Sequence, residues 1–120
     1  MTRRILAAVD DMFFASKIRA TGEHLGVQIK FVRNLNGAIE SARSELPSVV
    51  VADLHSERCD PLQLAREFKS DDSLKSVPLI GFFSHVDTAL HDAAQQAGYD
   101  KVMPRSVFTN NLAQILSGEN

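Results

Sequence analysis

A single cysteine, Cys59, in 120 residues leaves nothing to form an intramolecular disulfide and fits a reducing compartment. Nor is there an apolar run long enough to cross a bilayer. The stretch that follows Met1-Thr2-Arg3-Arg4 is too short even for the core of a secretory signal, and it ends on two acids. Basic charge is not in excess: 13 Lys and Arg stand against 15 Asp and Glu, for a net charge of -2. That balance excludes the electrostatic footprint of a nucleic-acid binder, and no stripe of Lys and Arg marks a membrane surface. Repeats, low-complexity tracts and Pro/Gly/Ser linkers are missing too. What remains is an ordinary soluble composition with the length of one domain, residues 1–120, built on one core. A cytoplasmic location is expected.

What the chain has is β-branched runs that end on carboxylates. Ser48-Val49-Val50-Val51-Ala52-Asp53 is the clearest. Such an unbroken run reads as a strand buried on both faces, in the middle of a parallel sheet. Residues 4–9 form a second such run and lead into Asp10 and Asp11. Residues 27–32 alternate (Val-Gln-Ile-Lys-Phe-Val), as an edge strand would. Residues 77–83 make a fourth strand, with Pro78 near its start, and residues 101–103 a short fifth.

Helical spacing fills the gaps. Phe14, Ile18 and Leu25 share one face, and Gly26 stops that helix. Leu35, Ala38, Ile39, Ala42 and Leu46 form the next stripe, capped by Asn34 or Asn36 and ended by Pro47. Asp60 is expected to cap a helix with Pro61 at its first position and Leu64, Ala65 and Phe68 inward. Asp87 caps a helix carrying Leu90, Ala93, Ala94 and Ala97, which Gly98 terminates. Thr109 is expected to cap the last helix, with Leu112, Ile115 and Leu116 inward. Five alternations of strand and helix give a doubly wound parallel sheet with helices on both faces. Placing the two continuous strands centrally and the alternating one at an edge gives the order 2-1-3-4-5. Asp10, Asp11 and Asp53 then converge at the switch point between the first and third strands.

Three carboxylates in one crevice raise one another's pKa, and a divalent cation offsets that cost. Mg²⁺ takes oxygen ligands and typically binds through one or two carboxylates plus a phosphate oxygen. One carboxylate then remains as a nucleophile that can form an acyl phosphate. An aspartate-nucleophile phosphohydrolase would want a second acid two residues after the nucleophile, where this chain has His55 or Met12. A flavin site would want a small, polar loop after the first strand, where Asp10-Asp11-Met12-Phe13-Phe14 offers carboxylates and bulk.

Asp10-Asp11 after the first strand, Asp53 after the third, Asp60 seven residues on, and Ala97-Gly98 before the fifth strand resemble the receiver domains of two-component response regulators. The resemblance runs from Arg4 to Leu116. It implies a flavodoxin-like fold and a phosphoacceptor, not an enzyme, in phosphorelay signal transduction. It implies phosphoryl transfer to Asp53 from a sensor histidine kinase or phosphotransfer protein, with Mg²⁺ held by Asp10, Asp11, Asp53 and the main-chain carbonyl of His55. A downstream protein partner would use the face of the fourth helix and fifth strand. No nucleic acid or membrane contact is implied, and the chain is expected to end without an output domain. The departures concern signal transmission. The family's switch Ser/Thr falls on Phe83, which has no hydroxyl, with Ser84 one residue beyond. Its lysine falls on Arg105, followed by Ser106, or on Met103 if one residue is deleted. Its switch aromatic falls on Val102, and the glycine after the matched acid is Pro61. The alternative is a degenerate receiver that serves as a phosphorylation-independent interaction module.

Overall fold

The structure is a computed structural model and describes residues 3–84 and 87–118. The outermost residues of the expected 1–120 domain, and His85 and Val86, lie outside the described residues. Five parallel strands form one sheet in the order β2-β1-β3-β4-β5. They are β1 (Arg4–Ala8), β2 (Gln28–Val32), β3 (Val49–Asp53), β4 (Leu79–Phe83) and β5 (Lys101–Pro104). The helices are α1 (Met12–Leu25), α2 (Leu35–Ser44), α3 (Pro61–Ser70), α4 (Thr88–Ala97), α5 (Arg105–Asn110) and α6 (Leu112–Ser117).

Side-chain alternation along the strands sorts the core into two layers. Leu6, Ala8, Val50, Ala52 and Leu79 face α2, α3 and α4, where Ile39, Leu64, Phe68 and Ala94 meet them. Ile5, Ala7, Val49, Val51 and Phe82 face α1, α5 and α6, where Phe14, Ile18, Phe108 and Leu116 meet them. All five residues of β3 are buried. Each such Val or Leu side chain taken out of water contributes about 1.5–3 kcal/mol. That burial holds β3, and Asp53 at its end, at the centre of the sheet. β2 is an edge with two of its five residues exposed and only Val32 buried, as its alternating sequence requires.

Several expected signals act as expected. Gly26 ends α1 with φ 74°, where only glycine is unstrained. Asn34 and Asp87 accept hydrogen bonds from Gly37 N and Leu90 N at the starts of α2 and α4. Pro78 lies just before β4, so its missing N–H interrupts no ladder.

Three expectations are corrected. Thr109 does not begin the last helix: the chain is helical from Arg105, with a break at Asn111 (φ -111°, ψ 13°) between α5 and α6. Phe108 is fully buried and stands one helical turn before Leu112, so burying both extends the helix back past Thr109. Asp60 makes no side-chain cap for α3, because its backbone adopts the left-handed conformation at φ 45°. Leu46 is 52% exposed rather than part of the α2 stripe. The helix ends at Ser44 because Pro47 pushes the residues before it toward extended backbone.

Candidate functional site

The carboxyl ends of β1 and β3 bring Asp10, Asp11 and Asp53 to one crevice beside the start of α5. β1 and β3 pair in register from Ile5–Val49 to Ala8–Ala52, which levels the two strand ends. Asp53 is the buried member, 7% exposed. Its Oδ1 accepts the backbone N–H of His55 at 2.9 Å, a turn that folds the loop back over the carboxylate. Burial pushes the Asp53 carboxyl above its ordinary value. The His55 amide, the His55 ring and the Arg105 guanidinium pull the other way, and the neighbouring Asp10 charge adds to the rise.

Asp10 Oδ2 accepts the hydroxyl of Ser56 at 2.9 Å. Ser56 is 2% exposed and also accepts Cys59 N at 3.3 Å, so one buried hydroxyl ties the loop after Asp53 to the end of β1. Sequence reasoning missed Ser56, since a serine three residues past an acid carries no distinctive signal. Asp11 is the N-cap of α1. Its Oδ1 accepts Phe13 N at 3.0 Å and Phe14 N at 3.2 Å. Its Oδ2 pairs with Arg105 Nη2 at 3.1 Å. The Phe14 amide above all, with Arg105 and the Phe13 amide, holds the Asp11 carboxyl below its ordinary value against a smaller cost of burial.

Arg105 therefore faces the acids, bonded to Asp11 and close enough to act on Asp53. Its guanidinium also lies 3.9 Å over the ring of Phe14. Phe14 was legible only as a core position on the α1 stripe. Its ring meets that of Phe82 at a tilt of 58°, with centroids 5.0 Å apart, and Phe82 stacks on Phe108 at 4.6 Å. Phe83 is not brought to the acids. It belongs to the opposite layer and meets His91 of α4 edge-on at 6.1 Å, whereas Phe82 is the residue paired with Asp53 across the strands. Val102 is half-buried on the Phe83 side. No described peptide bond is cis, and Arg105-Ser106 opens α5.

Oxygen donors on adjacent strand ends are the chemistry a hard cation takes. Asp10 Oδ1 makes none of these bonds and Asp53 Oδ1 keeps a second lone pair, so both carboxylates retain a donor for a cation while Asp53 Oδ2 stays open. Among the described residues, however, no three His, Cys, Asp or Glu side chains are gathered in metal-binding geometry. The donor set fits Mg²⁺ through Asp10 and Asp53, with Asp11 turned toward Arg105.

No protein-family model matches the chain, and no curated protein is similar to it in sequence. Solved structures are similar in fold. A response regulator from Hahella chejuensis matches with TM-score 0.86 at 16% identity, over 97% of this chain and 93% of that one. The signal receiver domain of a signal transduction histidine kinase from Syntrophus aciditrophicus matches at 0.81 and 22% identity, over 98% and 92%. The receiver domain of a sensor histidine kinase from Pseudomonas aeruginosa PAO1, described with a magnesium ion coordinated in the active site cleft, matches at 0.82 and 19% identity, over 99% and 100%. The chain has the flavodoxin-like fold of receiver domains. No described helix is long and apolar enough to cross a membrane.

Proposed function

We propose that the chain is a receiver domain that accepts a phosphoryl group on Asp53 in a two-component phosphorelay. The observation that carries this reading is the placement of Asp53: buried at the end of the central strand, beside Asp10, with Arg105 directed into the same crevice. A carboxylate oxygen of Asp53 attacks the phosphorus of a phosphohistidine. The new O–P bond forms as the N–P bond breaks, and the imidazole leaves with the electron pair and takes up a proton. The buried turn through His55 N fixes the other oxygen and aims the nucleophile. Arg105 offers a planar pair of donors to the transferred group.

Asp10 and Asp53, with the main-chain carbonyl of His55, are the groups that would hold Mg²⁺, and Asp11 would join them only when released from Arg105. When bound, the metal supplies positive charge to the phosphoryl oxygens and orients them. The donor is a sensor histidine kinase or phosphotransfer protein. Met12 and Phe13, 65% and 92% exposed at the mouth of the crevice, offer it an apolar edge. On this reading the chain works in the cytoplasm and is a phosphoacceptor and not an enzyme with a separate substrate. A downstream partner on the α4–β5 face receives a weak signal, since Phe83 offers no hydrogen bond to the phosphoryl group.

Acetyl phosphate with Mg²⁺ should add one phosphate to the intact mass, and Asp53→Asn should abolish the gain. An unchanged mass for the native chain would leave the interaction-module reading in its place.

A further inference from the structure

Asp11 is the most heavily engaged of the three acids. One oxygen caps α1 through two backbone amides, and the other pairs with Arg105 at 3.1 Å. The Arg105 guanidinium is held a second time, by the Phe14 ring 3.9 Å beneath it. Asp11 and Phe14 belong to the same first turn of α1, so a single helical turn supplies both the carboxylate and the aromatic face that seat the arginine. Asp10 and Asp53 take their hydrogen bonds from Ser56 and the His55 amide, neither of which brings a formal charge to the bond.

We propose that Arg105 and a divalent cation compete for Asp11. With Arg105 seated, the cation is held by Asp10 and Asp53 without Asp11. A cation that does engage Asp11 displaces Arg105 and lifts it off the Phe14 ring. The inference rests on the reading of the crevice as a Mg²⁺-dependent acceptor site and adds to it a built-in counter-ion. The chemistry is that of one oxygen with two claimants. Asp11 Oδ1 is bound to the α1 amides, so only Oδ2 is available, and it cannot sit in a metal's inner shell while taking a guanidinium hydrogen bond in the same direction. Two cations side by side also repel. The arginine suits this role better than a lysine would, because its flat, weakly hydrated head stacks on an aromatic ring while its edge donates to a carboxylate.

The competition is modest in size. The paired side chains are 31% and 36% exposed. An ion pair so open to water holds its partner weakly, so freeing Asp11 should tighten metal binding by roughly two- to fivefold.

The test is calorimetric titration of the whole chain with Mn²⁺ and Mg²⁺, for the native protein, Arg105→Ala, Asp11→Asn and the double variant. Asparagine also caps helices well, so Asp11→Asn keeps α1 anchored; thermal melts check each fold. In the native background Asp11→Asn should change metal affinity by less than about twofold, because Arg105 already withholds that carboxylate. Arg105→Ala should raise affinity by roughly two- to fivefold, and Asp11→Asn should remove that gain. On metal addition to the native chain the Phe14 ring resonances should stay nearly still, because Arg105 remains seated on the ring. If Arg105→Ala binds metal no better, or if Asp11→Asn weakens native and Arg105→Ala proteins equally, the competition does not exist. If no variant binds either metal at millimolar concentration, the acceptor-site reading itself fails, and the competition with it.

Discussion

The phenol of Tyr99 donates a 2.8 Å hydrogen bond to the carbonyl of Pro61. Tyr99 follows the glycine that ends α4, and Pro61 is the first residue of α3. The turn leading into β5 is thereby tied to the far end of the loop that begins at Asp53. Burial raises the Tyr99 phenol far above its ordinary value, so it stays a donor throughout the working pH range.

Replacing Tyr99 with Phe keeps the ring and removes the donor. The Pro61 carbonyl keeps its helical bond, so the loss is that of one buried hydrogen bond, about 0.5–1.5 kcal/mol. The urea midpoint should fall accordingly, with the slope unchanged.

Asp53 and Asp11 should respond to pH with opposite sign. Burial raises the folded-state pKa of Asp53, so its ionised form opposes folding. That cost is full above the folded value and fades as pH falls toward the unfolded value. Asp53→Asn should therefore be more stable than the native chain at neutral pH, and the gap should close on acidification. Asp11 has a depressed pKa, so its contribution is present above the unfolded value and is lost as pH falls through the folded one. Denaturation midpoints of both Asn variants across pH 3–7, roughly the range carboxylates titrate in, would show the two trends crossing.

Asp60 is a non-glycine residue at φ 45° with no capping bond to justify it. The left-handed conformation costs an L-residue about 1–2 kcal/mol, and glycine loses roughly 0.4–1 kcal/mol of that advantage in unfolded-chain entropy. Asp60→Gly should thus be neutral to mildly stabilising in chemical denaturation. A clear loss of stability would mean that the Asp60 carboxylate is engaged in solution.

A side chain at Gly81 would collide with Leu54. An added Cβ would lie 2.8 Å from Leu54 Cδ2 and 3.1 Å from its Cγ. Leu54 directly follows Asp53 and is 4% exposed. Gly81→Ala should cost about 1–3 kcal/mol through overpacking and slow acyl-phosphate formation by moving the carboxylate. Leu54→Ala in the same chain should recover part of the rate.

Beryllofluoride with Mg²⁺, a mimic of the acyl phosphate, should shift resonances at Asp10, Phe14, Arg105 and Phe108. Those of Leu90, Ala94 and Val102 should move much less. Phe14 lies below the arginine in ring contact with Phe82 and Phe108, whereas Phe83 and Val102 lie in the other layer. Comparable shifts in both sets would show that the Tyr99–Pro61 bond transmits as well as anchors.

The sheet was readable because its information is local: β-branched runs for β1 and β3, alternation for β2, glycines at the ends of α1 and α4. The acids were readable because each ends a buried run. Other features depend on the assembled molecule. Phe108 draws the last helix back past Thr109 because a pocket lined by Phe14 and Phe82 awaits it, and that pocket comes from distant segments. Asp11 was readable as an acid at the crevice, but its helix cap and its pairing with Arg105 were not, since the sequence marks the acid and not the direction of its oxygens. Ser56 became significant only once β1 and β3 stood side by side.

That adjacency has a kinetic side. β1 pairs with β2 soon after it in the chain, but its pairing with β3 must wait until the segment from Ile5 to Val49 has closed on itself. Closing so long a loop is slow, and distant parallel pairings are the hallmark of slow folders. Asp10 and Asp53 sit on either side of that closure. The crevice is therefore assembled late, and during synthesis a nascent chain has no acceptor site until β3 has emerged and docked.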